Sequence, residues 1–216
     1  MKNIISKINE QTRISYNLVA NTYHELFKNE INEKAYDREL LDKFSKYFDS
    51  NSIIYDVGCG PSGHIARYLY EKGLNLIGVD ISEKCVELAV KFNPMIEFKI
   101  MDMMNLNLTD EAIDGIISFY SIIHTPKRQV KLLFKEFHRV LKKHGKLLVT
   151  VKEGIDEGFQ NELLGFPTEI YFSYFLKEEI EYYLNLNHFK VTYLDRRLPI
   201  EGEISVPRIY AIGDKY

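Results

Sequence analysis

Three carboxylates in this chain each close a short apolar run: Asp56 after Ile53-Ile54-Tyr55, Asp80 directly after residues 74–79, and Asp102 directly after residues 96–101. Asp56 leads into Val57-Gly58-Cys59-Gly60-Pro61-Ser62-Gly63, which has the G-x-G-x-x-G spacing and runs straight into an amphipathic helical pattern. Glycines let a backbone turn sharply and approach a ligand closely, and a helix N-terminus offers unpaired N–H groups. Such a turn suits part of a nucleotide-containing ligand. An aspartate at a strand end serves equally well as a helix cap or turn former. Three of them ending successive strands point instead to a shared ligand, because open parallel sheets bind ligands beyond the carboxyl ends of their strands. One imidazole, His124 in Ser121-Ile122-Ile123-His124-Thr125-Pro126, follows the fourth apolar run. With a pKa near neutrality it is a candidate general base, although a histidine there also suits packing against the next helix.

Those residues need elements to hold them. Residues 6–48 contain no Pro or Gly and read as a pair of helices. Ile14, Leu18 and Val19 form one apolar set; Leu40, Leu41, Phe44, Tyr47 and Phe48 form another, with Tyr16, Tyr23 and Tyr36 interleaved. Strands are expected at 53–57, 74–79, 96–101, 115–120 and 146–151. The helix after the glycine turn buries Ile65, Ala66 and Leu69 and stops at Gly73. Ser82 caps a second, which buries Cys85, Val86, Leu88, Ala89 and Phe92 before Pro94. Thr125 and Pro126 open a third, with Val130, Leu133, Phe134, Phe137 and Leu141 as its buried stripe and Gly145 as its stop. Its lysines and arginines read as a solvated face.

Residues 153–167, with three glycines among charges, read as a long lid-like loop. A helix over 177–186 and two antiparallel strands, 189–194 and 209–212, complete the chain. Repeated strand–helix units with apolar strands imply a parallel sheet covered on both faces. The expected architecture is α/β, a Rossmann-like seven-stranded, mostly parallel sheet with an antiparallel last strand, helices on both faces and an N-terminal helical cap. One domain is expected: about 1–48 as cap, 49–152 as cofactor-binding core, 153–175 as lid-like loop, and 176–216 as C-terminal helix and strand pair.

Composition is that of a globular protein, 45% hydrophobic and 27% charged with a net charge of −3, so nothing in bulk attracts nucleic acid. Two cysteines form no disulfide framework, and the first residues contain no run long enough for a signal peptide or membrane span. A soluble, cytoplasmic protein is expected, without nucleic-acid, membrane or metal partner. Its oligomeric state is left open.

Two cofactors suit the glycine turn. A dinucleotide fits the spacing, with Asp80 as the acid about twenty residues on. Asp56 tells against it, because a carboxylate two residues before the first glycine would repel a pyrophosphate. It suits a cation, and S-adenosylmethionine carries an ammonium and a sulfonium. At these residues the chain resembles the class I S-adenosylmethionine-dependent methyltransferases, small-molecule type. The first family motif reads here as Asp56 to Gly63, the second as Asp80-Ile81, the third as Asp102-Met103, and the fourth as Asp114 with Phe119-Tyr120-Ser121 at the far end of its strand. The resemblance covers roughly residues 50–216.

It implies that Asp80 accepts both ribose hydroxyls and that Ile81 packs on the adenine. Asp102 and the Met103 N–H would meet the adenine edge. Asp56 and the backbone of Gly58, Cys59 and Gly60 would hold the methionine end, with Phe119 nearby. The implied activity is methyl transfer from S-adenosylmethionine to a small molecule. His124 is its candidate base, Tyr16 and Tyr23 close over the sulfonium, and Tyr171 and Tyr174 line the acceptor pocket. A dinucleotide-dependent oxidoreductase and a cofactor-binding protein without transfer activity are the competing readings.

Overall fold

The computed structural model describes the backbone of residues 2–216 and the side chains of residues 6–216. The chain begins with a 26-residue helix, α1 (Lys2–Phe27), followed by one turn, α2 (Glu30–Glu33), and by α3 (Ala35–Ser45). The expected helix pair is therefore interrupted; Arg38 donates to the carbonyls of Ile31 and Asn32 and satisfies the end of the short middle turn.

The buried face of α1 differs from the expected one. Val19 is fully buried, but Ile14 and Leu18 are about half exposed, at 44% and 50%. Ile8, Thr12, Ser15 and Ala20 point inward with Val19 instead. Polar contacts accompany this buried stripe: Asn9 donates to Asp102 (2.7 Å), Asn17 to Glu83 (2.8 Å) and Arg13 to Glu83 (2.9 Å).

The core alternates strand and helix: β1 (Ile53–Val57), α4 (His64–Tyr70), β2 (Asn75–Asp80), α5 (Glu83–Phe92), β3 (Glu97–Ile100) and β4 (Ile113–Phe119). A 3-10 turn (Ile122–His124), α6 (Lys127–Val140) and β5 (Leu141–Lys152) follow. Ser82 accepts the Cys85 N–H at 3.0 Å and caps α5 as its sequence position predicts. Phe92 does not enter the core; it is 39% exposed and stacks on His24 at 3.8 Å. Helix α6 starts at Lys127 without a Thr125 side-chain cap, and ends at Val140 rather than Gly145. The strand begins at once, and a register shift against β4 takes up residues 142–145.

Residues 157–173, expected as loop, form a two-stranded hairpin: β6 (Glu157–Leu163) and β7 (Phe166–Ser173). Leu164 and Gly165 turn it with φ of +53° and +82°, the left-handed pair that a tight hairpin requires. Strand β6 buries no residue, so it has no apolar alternation to betray it. Strand β7 docks through Ile170, Phe172 and Ser173. Helix α7 (Lys177–Leu186) and strands β8 (Phe189–Arg197) and β9 (Arg208–Lys215) end the chain.

The main sheet has the order β3-β2-β1-β4-β5-β9-β8. Strands β1 to β5 pair in parallel, and β9 inserts antiparallel between β5 and β8. The parallel sheet with an antiparallel last strand is thus as the sequence implies. One face packs on α6 and α7 through Phe134, Phe137, Leu147 and Phe189; the other packs on α3, α4 and α5 through Phe44, Ile54, Leu69 and Phe98. Among the described residues no helix is long and apolar enough to cross a membrane.

Phe137 is completely buried under β4 and β5. Phe137→Ala is expected to cost about 3–5 kcal/mol, seen as a lower urea midpoint with an unchanged slope.

Candidate active site

The glycine turn is closed from above by the end of β4. Gly58 and Cys59 both donate to the Val79 carbonyl, at 2.7 and 3.0 Å, which binds the turn to β2. A Cβ on Gly58, whose φ is +77°, would lie 2.2 Å from the Ser121 Cβ. Ser121 in turn donates to the Val57 carbonyl at 2.6 Å and pairs with Ser118 at 2.6 Å. Gly60 (φ +63°) leaves its backbone bare toward α1, with the Tyr23 ring 3.9 Å from where a Cβ would stand.

Asp80 is pinned by that turn. Its two carboxylate oxygens accept the Gly60 and Ser82 N–H groups, each at 2.9 Å, and burial raises its pKa above the usual carboxylate value. One lone pair on each oxygen remains for a ligand. Asp102 accepts from the Met104 N–H (2.8 Å) and from Asn9 of α1.

Asp56 does not reach the cavity. It is 1% exposed, receives the Ala66 N–H from the first turn of α4, and leaves its second oxygen without a partner. Burial pushes its carboxyl up to about 7. It acts beneath the turn, bonded to the helix, because β1 is covered on both faces and its end faces α4. The Cys59 side chain is likewise absent from the cavity wall: it is buried toward α4 and β2, beside Gly78. Only its backbone belongs to the turn.

At the opposite end, His124 forms the middle of a hydrogen-bonded chain. Its Nδ1 is 2.9 Å from the Tyr171 carbonyl and its Nε2 is 2.8 Å from the Tyr16 hydroxyl. A carbonyl only accepts, so Nδ1 carries the proton and Nε2 receives the Tyr16 hydroxyl proton. Burial holds His124 at about 4 and pushes the Tyr16 phenol well above its ordinary value. Both groups are neutral at pH 7. Of the two later tyrosines, Tyr171 contributes its carbonyl while its ring packs on Phe159, and Tyr174 packs against Gly154. Neither ring lines the cavity.

The cavity so formed is narrow, with about 70 Å³ free for a water-sized sphere. Gly58, Gly60, Asp80, Ile81, Asp102, Met103, Phe119, His124, Tyr16 and Tyr23, all singled out from the sequence, line it together. Tyr120 and Ser121 of the fourth motif line it as well, and so do Asn9 and Thr12, which the sequence does not mark. Asn9 and Thr12 are small polar residues on a helix read by its apolar ones. Tyr120 takes a left-handed φ of +55°, held by Thr150 on β5, and its hydroxyl meets that of Tyr210 at 3.0 Å. Among the described residues no group of three or more His, Cys, Asp or Glu is placed to hold a metal ion.

Residues 55–149 match the family described as a methyltransferase domain. A phosphoethanolamine N-methyltransferase of Plasmodium falciparum is 31% identical over 121 residues, 52% of this chain and 45% of that protein. The chain spans less than half the length of the curated relatives it matches. A solved S-adenosylmethionine-dependent methyltransferase from Methanosarcina mazei superposes with a TM-score of 0.71 at 19% identity, covering 80% of this chain and 96% of that one. Magnesium protoporphyrin IX methyltransferase from Synechocystis, solved with bound S-adenosylmethionine, superposes at 0.62 and 17% identity, covering 83% and 80%.

Gly58→Ala and Gly73→Ala separate backbone strain from overlap, since a Cβ at Gly73 (φ +87°) meets nothing within 4 Å. Gly73→Ala is expected to cost about 1–3 kcal/mol and Gly58→Ala clearly more, read from urea unfolding. Acid sensitivity follows from the buried imidazoles. His124 and His64 are held at about 4 against an ordinary 6.5. A depressed pKa contributes stability above the unfolded value that is lost as the pH falls toward the folded one. Unfolding free energy is therefore expected to drop between pH 6.5 and 4, and less so in His124→Gln.

Proposed function

We propose that this chain is a class I S-adenosylmethionine-dependent methyltransferase that methylates a small molecule by direct displacement, with S-adenosylmethionine as cofactor. One observation carries the reading: a single cavity holds two strand-end carboxylates and a bare glycine backbone at one end and the Tyr16–His124 pair at the other. The residues fit the cofactor. Asp80 keeps two free lone pairs for vicinal ribose hydroxyls, Asp102 and the Met103 N–H suit the adenine edge, and Ile81 offers an apolar face to the ring. Gly60 leaves room for the methionine end, Gly58 lets Ser121 close on the turn, and Asp56 supports them through α4. When bound, the cofactor supplies a methyl group on a cationic sulfur, already activated toward a nucleophile.

The protein's part is then alignment and exclusion of water. Tyr16, fixed by His124, presents its oxygen lone pairs toward an acceptor N–H or O–H. With its imidazolium so disfavoured by burial, His124 serves to orient Tyr16 more than to store a proton. Tyr23 closes the cavity over Gly60, and Tyr120 bounds the acceptor side. An enclosed cavity roofed by α1, in a chain of net charge −3, favours a small acceptor over nucleic acid. A relative named for tRNA methylation, a human protein 31% identical over 124 residues, makes RNA the competing acceptor to exclude.

S-adenosylhomocysteine at a hundredfold excess over Kd is expected to stabilise the fold by about 2.7 kcal/mol, visible as a melting shift. Asp80→Ala is expected to abolish that shift, and an unchanged shift would remove the ribose assignment. Tritiated methyl transfer into fractionated cell extract identifies the acceptor class. Label in the small-molecule fraction is the expected result; label confined to RNA, or none in any fraction, would overturn the reading.

A further inference from the structure

One cation stands behind the His124 wall of this cavity and has no task in the reading above. Lys152 is the last residue of β5, two beyond Thr150, which pairs with Phe119 of β4. Its ammonium lies 5.3 Å from the centroid of the Phe172 ring. That ring stands edge-on to the His124 imidazole at 4.8 Å. Phe172 therefore touches both the ammonium and the imidazole at the Tyr16–His124 end of the cavity, and the lysine's charge is felt at His124, where it opposes protonation.

The charges felt at Lys152 are those of Arg208 on β9, Glu30 on α2 and Lys34 at the start of α3, and the carboxylates in this region are already engaged. Glu203 lies 3.0 Å from Lys34, 2.8 Å from Arg197 and 3.6 Å from Arg208, the residue opposite Lys152 across the strands. Glu30 pairs with Lys34, and Asp37 accepts the Tyr210 hydroxyl at 2.7 Å. Glu153, next along the chain, is turned away to Arg196 at 2.7 Å. Among the described residues Lys152 makes neither an ion pair nor a hydrogen bond. Burial and the nearby Arg208 pull its pKa down to about 8. A partly buried charge without an ion-pair partner carries a desolvation cost, and an arriving anion would relieve it.

We propose that Lys152 recognises an anionic group of the methyl acceptor, a carboxylate or a phosphate, with the acceptor's apolar part against Phe172 and its nucleophile at Tyr16. The proposal rests on the methyl-transfer reading and narrows its substrate class. Because the ammonium in the free protein loses its proton near pH 8, anion binding weakens as the pH rises through that value.

The test uses the full chain saturated with S-adenosylhomocysteine and three probes: acetate, inorganic phosphate and, as a cationic control, tetramethylammonium. Melting shifts are read for wild type, Lys152→Gln and Lys152→Arg at pH 7 and pH 9.5. The expected result is that acetate or phosphate stabilises wild type and Lys152→Arg at pH 7. Affinity for that anion should fall about tenfold or more in Lys152→Gln, and for wild type it should fall at pH 9.5. The anion that acts tells carboxylate from phosphate. Equal anion shifts in wild type and Lys152→Gln, no anion shift in wild type, or a shift from tetramethylammonium alone would each overturn the proposal. The S-adenosylhomocysteine shift, measured first, keeps the two readings apart: its absence defeats the cofactor site, whereas its presence without an anion effect defeats only Lys152.

Discussion

The site depends on how closely the ends of β1 and β4 approach one another. At Gly58 there is no volume for a side chain, because the Ser121 Cβ occupies it. That contact is locked from both sides, by Ser121 on the Val57 carbonyl and by the Val79 carbonyl on the turn. Once the turn is fixed in this way, the Gly60 N–H points at Asp80, and Asp80 is held with one lone pair per oxygen to spare. Preorganisation of this kind lets a site bind without first reordering its own backbone. The rest of the cavity wall, from Asp102 to His124, is arranged around a floor that cannot move without breaking these bonds.

The roof is built on a different principle. Helix α1 buries a narrow stripe of small side chains, Ile8, Val19 and Ala20 with Thr12 and Ser15 among them, and adds amide, hydroxyl and carboxylate contacts, while its Ile14 and Leu18 face outward. Hydrogen bonds traded against water contribute only modestly to stability. A helix seated on so narrow an apolar stripe can leave at less cost than α6, whose buried Phe134 and Phe137 anchor it to the sheet. A rigid floor and a lightly held roof are what a buried cofactor site that must also fill and empty requires.

Residues were legible where backbone periodicity and chemistry coincided. Asp80 and Asp102 stand at the ends of apolar strands, so strand and site were read together, as were the glycines and the order of elements that follows them. Legibility failed where tertiary contacts outweighed local pattern. Asn9 and Thr12 were overlooked because an amphipathic helix is read from its apolar residues, and α1 buries the other face. The hairpin at 157–173 reads as loop because β6 buries no residue. Asp56 reads as a holder of the methionine end because its place beside the glycines is visible in sequence, whereas its burial under α4 is not. Lys152 looks like any strand-end lysine until Glu30 and Glu203 are seen to be already taken.

The continuity of α1 has a mechanical consequence. The same unbroken helix lays Asn9 on Asp102, Tyr16 on His124 and Tyr23 over Gly60. One continuous helix that touches both ends of the cavity cannot uncover one while sealing the other. Access to either end therefore passes beneath a single element, bordered by the hairpin through the Tyr171 carbonyl on His124.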